Sequence, residues 1–454
     1  MKDFDNIKVT VIGAARSGIA AAQLFKSHGA SVFVSEQNST NQVITALESL
    51  QSSGIGIEYG GHTDRVFDCA FMIISPGVPS NSPVVIEAQR RRIKVVSEIE
   101  AASWFCLAPI VAVTGSNGKT TTTTLIGEIF KEAKLDNEVA GNIGTAFSGV
   151  VNSLTLNSTA ILEVSSFQLD HVEMFHPKVS VLLNITPDHL DRYDNSMDKY
   201  SASKARIFSN QTNDDVLIYN IDDEIVKNIV KSAICKLLPF SIKQMLIEGG
   251  YLVTNENGKQ RLVIRINDEE LPLVEIQEMN IKGLHNIYNS LAAALAANVM
   301  GIQAKTISQA LKQFKGVEHR LEFVRVLNGV KYINDSKATN VDSVWYALNA
   351  VSEPIILLLG GRDKGNDYSK LTELIQEKVK AIVAIGESAE KVYDELSRYK
   401  TVQIVTSMAE AVKAAAKFAV TGDVVLLSPA CASFDWFDNY EHRGKVFKEL
   451  VNKL

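Results

Sequence analysis

Cysteine is scarce and scattered. Cys69, Cys106, Cys235 and Cys431 form no CxxC pair and no Cys/His cluster, which excludes a disulfide scaffold and a structural zinc site and leaves buried free thiols as the expectation. Long apolar runs are missing too. No uninterrupted stretch reaches the roughly 18 residues that crossing a bilayer requires, and the opening MKDFDNIKVT carries early acids where a secretory signal has its apolar core. A cytoplasmic protein with no membrane insertion is expected. Nor is there a large excess of one charge: a formal net charge of -6 offers nucleic acid no general attraction, so the expected ligands are small molecules, with any anion met by a local cationic pocket. What is present is an ordinary globular composition, 46% hydrophobic and 22% charged, in a chain of 454 residues. That length exceeds what one hydrophobic core usually organises, and three α/β domains are expected.

The first block, residues 1–98, opens with IKVTVIGAARSGIAAAQLFKSHGASVFVSE, which reads as strand, glycine turn, helix and second strand. Its turn, Gly13 to Gly18, resembles the dinucleotide fingerprint G-x-G-x-x-G, except that Ala15 replaces the glycine that lets backbone approach a pyrophosphate. Glu36 stands near the distance at which dinucleotide-binding sheets place an acid on a ribose, so a dehydrogenase stays open as an alternative. A further turn, IISPGVPSNSP, follows a strand ending near Ile74. Both turns are expected to line one cleft, because open parallel sheets meet ligands at the carboxyl ends of their strands.

The second block, residues 99–316, holds VAVTGSNGKTTTT at positions 111–123. A buried strand, a loop of Gly115, Ser116, Asn117, Gly118, Lys119 and Thr120, and a helix rich in hydroxyls follow one another. Converging backbone N–H groups at a helix N-terminus hold phosphate oxygens, and small glycines allow the approach. Lys119 adds a full positive charge and Thr120 an oxygen for Mg²⁺, so the stretch suits a nucleoside triphosphate. Val113 stands where the common pattern has a glycine. Two further apolar strands, in TAILEVSSFQLD and VSVLLNITPDHLDRY, end in polar residues that put Glu163, Asp188 and His189 near the phosphates. Residues 246–275 alternate and predict a small appended antiparallel sheet; KGLHNIYNSLAAALAANVMG predicts a long packed helix ending at Gly301.

The third block, residues 317–454, repeats the pattern of apolar strand and small-residue loop in PIILLLGG, VKAIVAIG and VVLLSPACAS, and reads as another doubly wound unit. It has no lysine loop. One triphosphate site flanked by two ligand-bearing α/β domains suggests two substrates brought to one ATP.

Along its whole length the chain resembles the Mur ligases of bacterial cell-wall synthesis. TGSNGKTTT, EVSSFQLD, NITPDHLDRY, SKARIF, GLHNIYNSLAA, VEHRLE, NDSKATN, GGRDKG and LSPACASFDWF carry the match, in order. NDSKATN and SPACASFDWF resemble the branch that joins D-glutamate to UDP-N-acetylmuramoyl-L-alanine. The resemblance implies a Rossmann-like first domain, a P-loop ATPase-like central domain and a doubly wound third, in a monomer. It implies ATP, two Mg²⁺ ions and an acyl-phosphate intermediate, with Lys119, Glu163, His189 and Lys204 catalytic. Gly115 to Thr120 with Thr121 would hold the phosphates, Asn286 and Asn289 the adenine, Arg320 and Asp335 the ribose and phosphate. Thr120, Glu163, His189 and a CO₂ adduct of Lys204, a carbamate, would serve the metals; by its position alone Lys204 reads as a solvated helix lysine. Ala15, Arg16, Ser17, Ser75, Pro76, Gly77, Asn142 and His189 would hold the uridine-linked substrate, and Lys337, Thr339, Lys364, Ser433, Phe434 and Tyr440 the D-glutamate. Ser116 and Ala15 depart from the family pattern. A sibling ligase, a folylpolyglutamate synthetase and a non-catalytic sensor of uridine sugars stand as alternatives.

Overall fold

The computed structural model describes residues 4–363 and 365–454. Its first sheet has five parallel strands in the order Gly56–Tyr59, Ser31–Glu36, Lys8–Ile12, Phe71–Ile74, Lys94–Ser97. The strands are apolar on both faces because helices cover both. Val9 and Val11 join one buried cluster with Ala21, Ala22 and Phe25 of helix Arg16–Ser27. Ile12, Met72 and Ile74 join another with Val84, Val85 and Ala88 of helix Pro83–Arg90. Strand order reverses between Lys8–Ile12 and Phe71–Ile74, so the loops leaving these two neighbours diverge and open a crevice at their carboxyl ends.

The second sheet has nine strands. Six run parallel in the order Asn137–Gly141, Thr159–Glu163, Ile110–Thr114, Val179–Leu182, Val216–Asn220, Lys236–Ser241. The antiparallel strands expected over 246–275 are Gly249–Thr254, Gln260–Ile266 and Glu269–Glu275. They are not a separate sheet: Phe240 pairs with Gly250, so they extend the large one. The helix expected before Gly301 is Leu284–Val299. The third sheet orders Glu322–Leu327, Val330–Asn334, Val424–Leu427, Ile355–Gly360, Val379–Ile385 and Thr401–Ile404, with only the first pair antiparallel.

These sheets fall into two compact units, Met1–Met279 with Tyr288–Gln313, and Asn280–Ile287 with Phe314–Leu454. The first two sheets share a unit because one buried cluster runs from Phe4 and Phe25 through Ile99 to Leu162 and Phe175. Two acids of the connecting helix Glu98–Ser103 add polar stitches. The buried Glu100 carboxylate accepts hydrogen bonds from Trp104 Nε1 at 2.8 Å and from the amides of Glu173, Met174 and Phe175 at 2.8–3.0 Å. Glu98 accepts one from the Ser148 amide at 2.6 Å. Such charge-assisted bonds make burial of a carboxylate tolerable. All four cysteines are free; Cys235 and Cys431 are buried as expected, whereas Cys69 and Cys106 are half-buried. No helix among the described residues is long and apolar enough to cross a membrane.

Candidate functional site

Strand Ile110–Thr114 is buried throughout and lies between Thr159–Glu163 and Val179–Leu182, so its exit loop meets the carboxyl ends of both neighbours. Helix Lys119–Glu132 starts at the loop's end, and its first-turn amides have no partner within the helix. Gly118 turns the chain into it at φ +86°, where a Cβ would stand 2.3 Å from Asn289 Oδ1. The next strand's exit pins the loop from outside. Asn184 accepts from the Ser116 and Asn117 amides at 2.9 and 2.8 Å and donates to Asn117 O at 3.0 Å. Ser116 Oγ donates to Thr186 O and accepts from the Thr186 amide, both at 2.9 Å.

Two lysines converge on this loop. Lys119 Nζ donates to Gly115 O and Ser116 O at 2.9 Å, and Lys204 Nζ donates to the same Gly115 O at 2.8 Å. The reading of Lys204 as a solvated lysine is therefore wrong: it is 1% exposed, 4.6 Å from the Tyr200 ring centre. Burial first, and the Lys119 charge second, push its pKa well below the ordinary lysine value, with Asp188 and Asp170 opposing. The shift favours the neutral amine, the form that adds CO₂.

Glu163, 1% exposed, ends the strand beside the loop and accepts from Asn142 Nδ2 at 2.8 Å. Thr120 and Thr121 are buried, and Thr121 Oγ1 has no hydrogen-bond partner among the described residues. Carboxylate and hydroxyl oxygens are the hard donors that Mg²⁺ prefers, and a buried hydroxyl lacking a partner fits a missing ligand. His189, in left-handed conformation at φ +52°, stands edge-on to Phe167 at 5.0 Å between ring centres. Arg192 lies over the same Phe167 ring at 4.1 Å and donates to Pro76 O and Gly77 O at 3.0 and 3.1 Å, tying this segment to the first sheet's second turn.

That turn and the glycine turn bound a cavity of about 810 Å³ at the strand-order reversal. Ala15, Arg16 and Ser17 line it from one turn, Ser75, Pro76 and Gly77 from the other, and Asn142 from the second sheet. His189 is not among its lining residues. The two turns touch: Ser75 Oγ donates to Gly13 O at 3.0 Å, and a Cβ on Gly18 would stand 2.7 Å from Ser75 Oγ. Glu36 accepts from the Ala14 amide at 2.7 Å and from the amide and side chain of Asn38 at 2.9 and 3.0 Å. It is engaged by the protein's own donors, which removes the feature that kept a dehydrogenase open.

In the second unit, Asp335 accepts from Ser428 Oγ at 2.7 Å and from the Leu321 amide at 3.2 Å. Burial raises its pKa to about 6, against the pull of Ser428, Arg320 and the Leu321 amide. Arg320 and Asp335 line one small pocket with His285, whose pKa burial, and then Arg320, lower to about 3. Asn286 belongs to the same unit's 280–287 segment, whereas Asn289, one turn on, belongs to the first. Lys337 Nζ donates to Tyr440 OH at 3.2 Å. Thr339 is half-buried, Ser433 buried, and Phe434 61% exposed. Lys364 lies outside the described residues.

Three family models match the chain: the MurD N-terminal domain over residues 8–84, the Mur ligase middle domain over 113–297, and the Mur ligase glutamate ligase domain over 319–431. A protein of Chloroherpeton thalassium named UDP-N-acetylmuramoylalanine–D-glutamate ligase is 49% identical over 98% of both chains. The chain belongs to the Mur ligase family. A ligase of the same name from Salinibacter ruber is 48% identical over 98% of each chain. Solved Mur ligases share the fold: the UDP-N-acetylmuramate–alanine ligase of Thermotoga maritima superposes with a TM-score of 0.63 at 20% identity, over 99% of this chain and 100% of that one. The MurF ligase of T. maritima, in complex with ADP, gives 0.62 at 17% over 93% and 95%.

Within this Mur ligase, two residues that build the site escaped the sequence reading. Asn184 was seen only as the polar end of a strand; its grip on the loop needs the parallel neighbour. Arg443, 1% exposed, donates to Ser336 Oγ and O and to the carbonyls of Cys431 and Ala432 at 2.7–3.3 Å, so it joins the NDSKATN and SPACAS segments. An arginine on an amphipathic helix gives no linear signal of such burial.

Proposed function

We propose that this Mur ligase uses ATP to join D-glutamate to UDP-N-acetylmuramoyl-L-alanine, as a monomer in the cytoplasm, with domains at 1–98, 99–316 and 317–454. The observation that carries the reading is the lysine loop flanked by Glu163 and a desolvated Lys204, in a chain 49% identical to a relative bearing that name. A carboxylate does not react with an amine directly. Transfer of the γ-phosphoryl group from ATP makes an acyl phosphate and ADP; the D-glutamate amine then attacks the carbonyl carbon, phosphate departs with the C–O bonding pair, and the amine loses a proton.

The first step brings an anionic carboxylate to an anionic triphosphate, and each like-charge pair at 4 Å costs about 4 kcal/mol at an effective dielectric near 20. Lys119 and the amides of Gly118 to Thr121 at the helix start would offset this on the β and γ phosphates. Thr120, Glu163, His189 and Lys204 as carbamate would hold two Mg²⁺ ions, which supply further charge neutralisation when bound. Asn289 would contact adenine beside Gly118, with Asn286, and Arg320 and Asp335 the ribose and phosphate. The cavity of the first sheet would take the uridine-linked substrate through Ala15, Arg16, Ser17, Ser75, Pro76, Gly77 and Asn142, with His189 at the reacting end. Lys337, Thr339, Lys364, Ser433, Phe434 and Tyr440 would hold D-glutamate, whose two carboxylates require cationic and hydroxyl donors.

The test is ADP release with each substrate omitted in turn. Release that requires both D-glutamate and UDP-N-acetylmuramoyl-L-alanine supports the assignment; release with another amino acid assigns a sibling ligase, and none at all leaves only a sensor.

A further inference from the structure

One polar chain at the end of the first sheet has no part in the mechanism above. Ser35 Oγ, on a fully buried residue, lies 2.6 Å from Glu58 Oε1 and 2.7 Å from His62 Nδ1. Glu58 also accepts from the Thr63 amide at 3.1 Å and Thr63 Oγ1 at 2.6 Å. His62 is among the residues lining the 810 Å³ cavity, together with Arg16 and Glu36.

The hydrogens of this chain can be assigned in sequence. Burial pushes the Glu58 carboxyl up, but the hydrogen bonds from Ser35 and Thr63 outweigh it and hold the group below the usual carboxylate range. Glu58 is therefore ionised and can only accept. Ser35 has one hydroxyl hydrogen and must give it to Glu58, so its oxygen accepts from His62, which fixes the hydrogen on Nδ1. Burial lowers the His62 pKa against the charges of Glu58 and Glu36, keeping the ring neutral. A neutral imidazole with hydrogen on Nδ1 has a bare lone pair on Nε2. Nε2 makes no hydrogen bond among the described residues. In a cavity wall, such a nitrogen seeks a donor.

We infer that His62, locked in one tautomer by Ser35 and Glu58, is a specificity residue of the cavity that accepts a hydrogen bond from an N–H or O–H of the nucleoside part of the ligand. This rests on the reading of the cavity as the uridine-nucleotide site. The donor has two sources in such a ligand, the imide N–H of the base and the hydroxyls of the ribose. Phosphate, which offers only acceptors when ionised, is rejected at this end and falls to the Arg16 side.

Two measurements on the full-length chain test it. In ¹⁵N-histidine spectra of the free protein, His62 should show a protonated Nδ1 and an unprotonated Nε2; the reverse, or a fast tautomer average, overturns the assignment. In calorimetric titration with UDP, His62→Phe should bind about tenfold more weakly than wild type, the range expected when a buried hydrogen bond loses its acceptor. Ser35→Ala, which frees the tautomer and leaves the ring, should weaken binding by a smaller factor. An N3-methylated UDP and a 2′-deoxy UDP separate the sources: the analogue lacking the donor loses affinity for wild type but not for His62→Phe. Wild type and His62→Phe binding UDP equally refutes the role of His62 alone, whereas a wild type that does not bind UDP refutes the cavity reading and this inference with it.

Discussion

The chain builds the same local motif twice, a buried strand running into a glycine turn and then a helix, and the two copies do opposite things with their backbone donors. At Gly13–Gly18 the Ala14 amide is filled by the Glu36 carboxylate, and Gly18 serves close packing on Gly13 and Ser75. At Gly115–Lys119 the Ser116 and Asn117 amides are answered by the neutral Asn184, Ser116 Oγ is held by Thr186, and a lysine lies over the loop. A turn whose amide is answered by an internal acid keeps little positive potential, whereas one backed by neutral groups and a lysine keeps more of it. Topology alone does not set the potential at a glycine turn; the residue at the end of the neighbouring strand helps to set it.

Removing the lysine should break the contrast most severely. Lys119→Ala is expected to lower ADP release by about a thousandfold, the cost of deleting a preorganised charge aimed at the transition state. The same exchange of glycine for alanine should then part the two turns. Gly18→Ala should destabilise the chain by about 3 kcal/mol, read as a lowered melting temperature, because its Cβ meets fixed backbone. Gly118→Ala meets the end of the Asn289 side chain at a positive φ, a strain of roughly 1–2 kcal/mol, and should weaken ATP binding more than folding.

How far the contrast was legible follows from where its parts lie. The lysine loop is contiguous, with strand, donors, charge and hydroxyls inside thirteen residues, so local physics sufficed. The sheets were legible for the same reason, since strands such as Ile355–Gly360 are unbroken apolar runs. Glu36 was visible, but its partner lies 22 positions away across a strand pair, and the acid was open to the opposite meaning of a ribose ligand. Lys204 and Arg443 carry charges that local reading places in solvent; only tertiary packing buries them. The continuous join of the meander to the large sheet depends on two parallel-paired positions, Phe240 with Gly250 and Ser241 with Tyr251, which alternation within the meander cannot announce.

A smaller effect is expected where the two turns' domains meet. Arg192→Ala removes two hydrogen bonds to the 76–77 carbonyls and the stack on Phe167. The KM for UDP-N-acetylmuramoyl-L-alanine should rise by about tenfold, with the KM for ATP little changed, as expected for losing charged hydrogen bonds. A pH-dependent effect contrasts Glu36, satisfied by three donors, with Asp335, whose pKa burial raises to about 6 from an ordinary 3.8. A raised carboxyl binds its proton more tightly when folded, so its contribution is present at low pH and is lost as pH rises through the window from about 4 to 6. Asp335→Asn should lack that loss, and denaturant titrations between pH 4 and 7 should shift in its favour over wild type by up to about 3 kcal/mol.

The account stands or falls on which turn holds the triphosphate. Titration calorimetry of ATP with Mg²⁺ should show binding to the wild-type chain, unchanged binding to Glu36→Gln, and no measurable binding to Lys119→Ala. ATP affinity that survives Lys119→Ala and disappears in Glu36→Gln would contradict it.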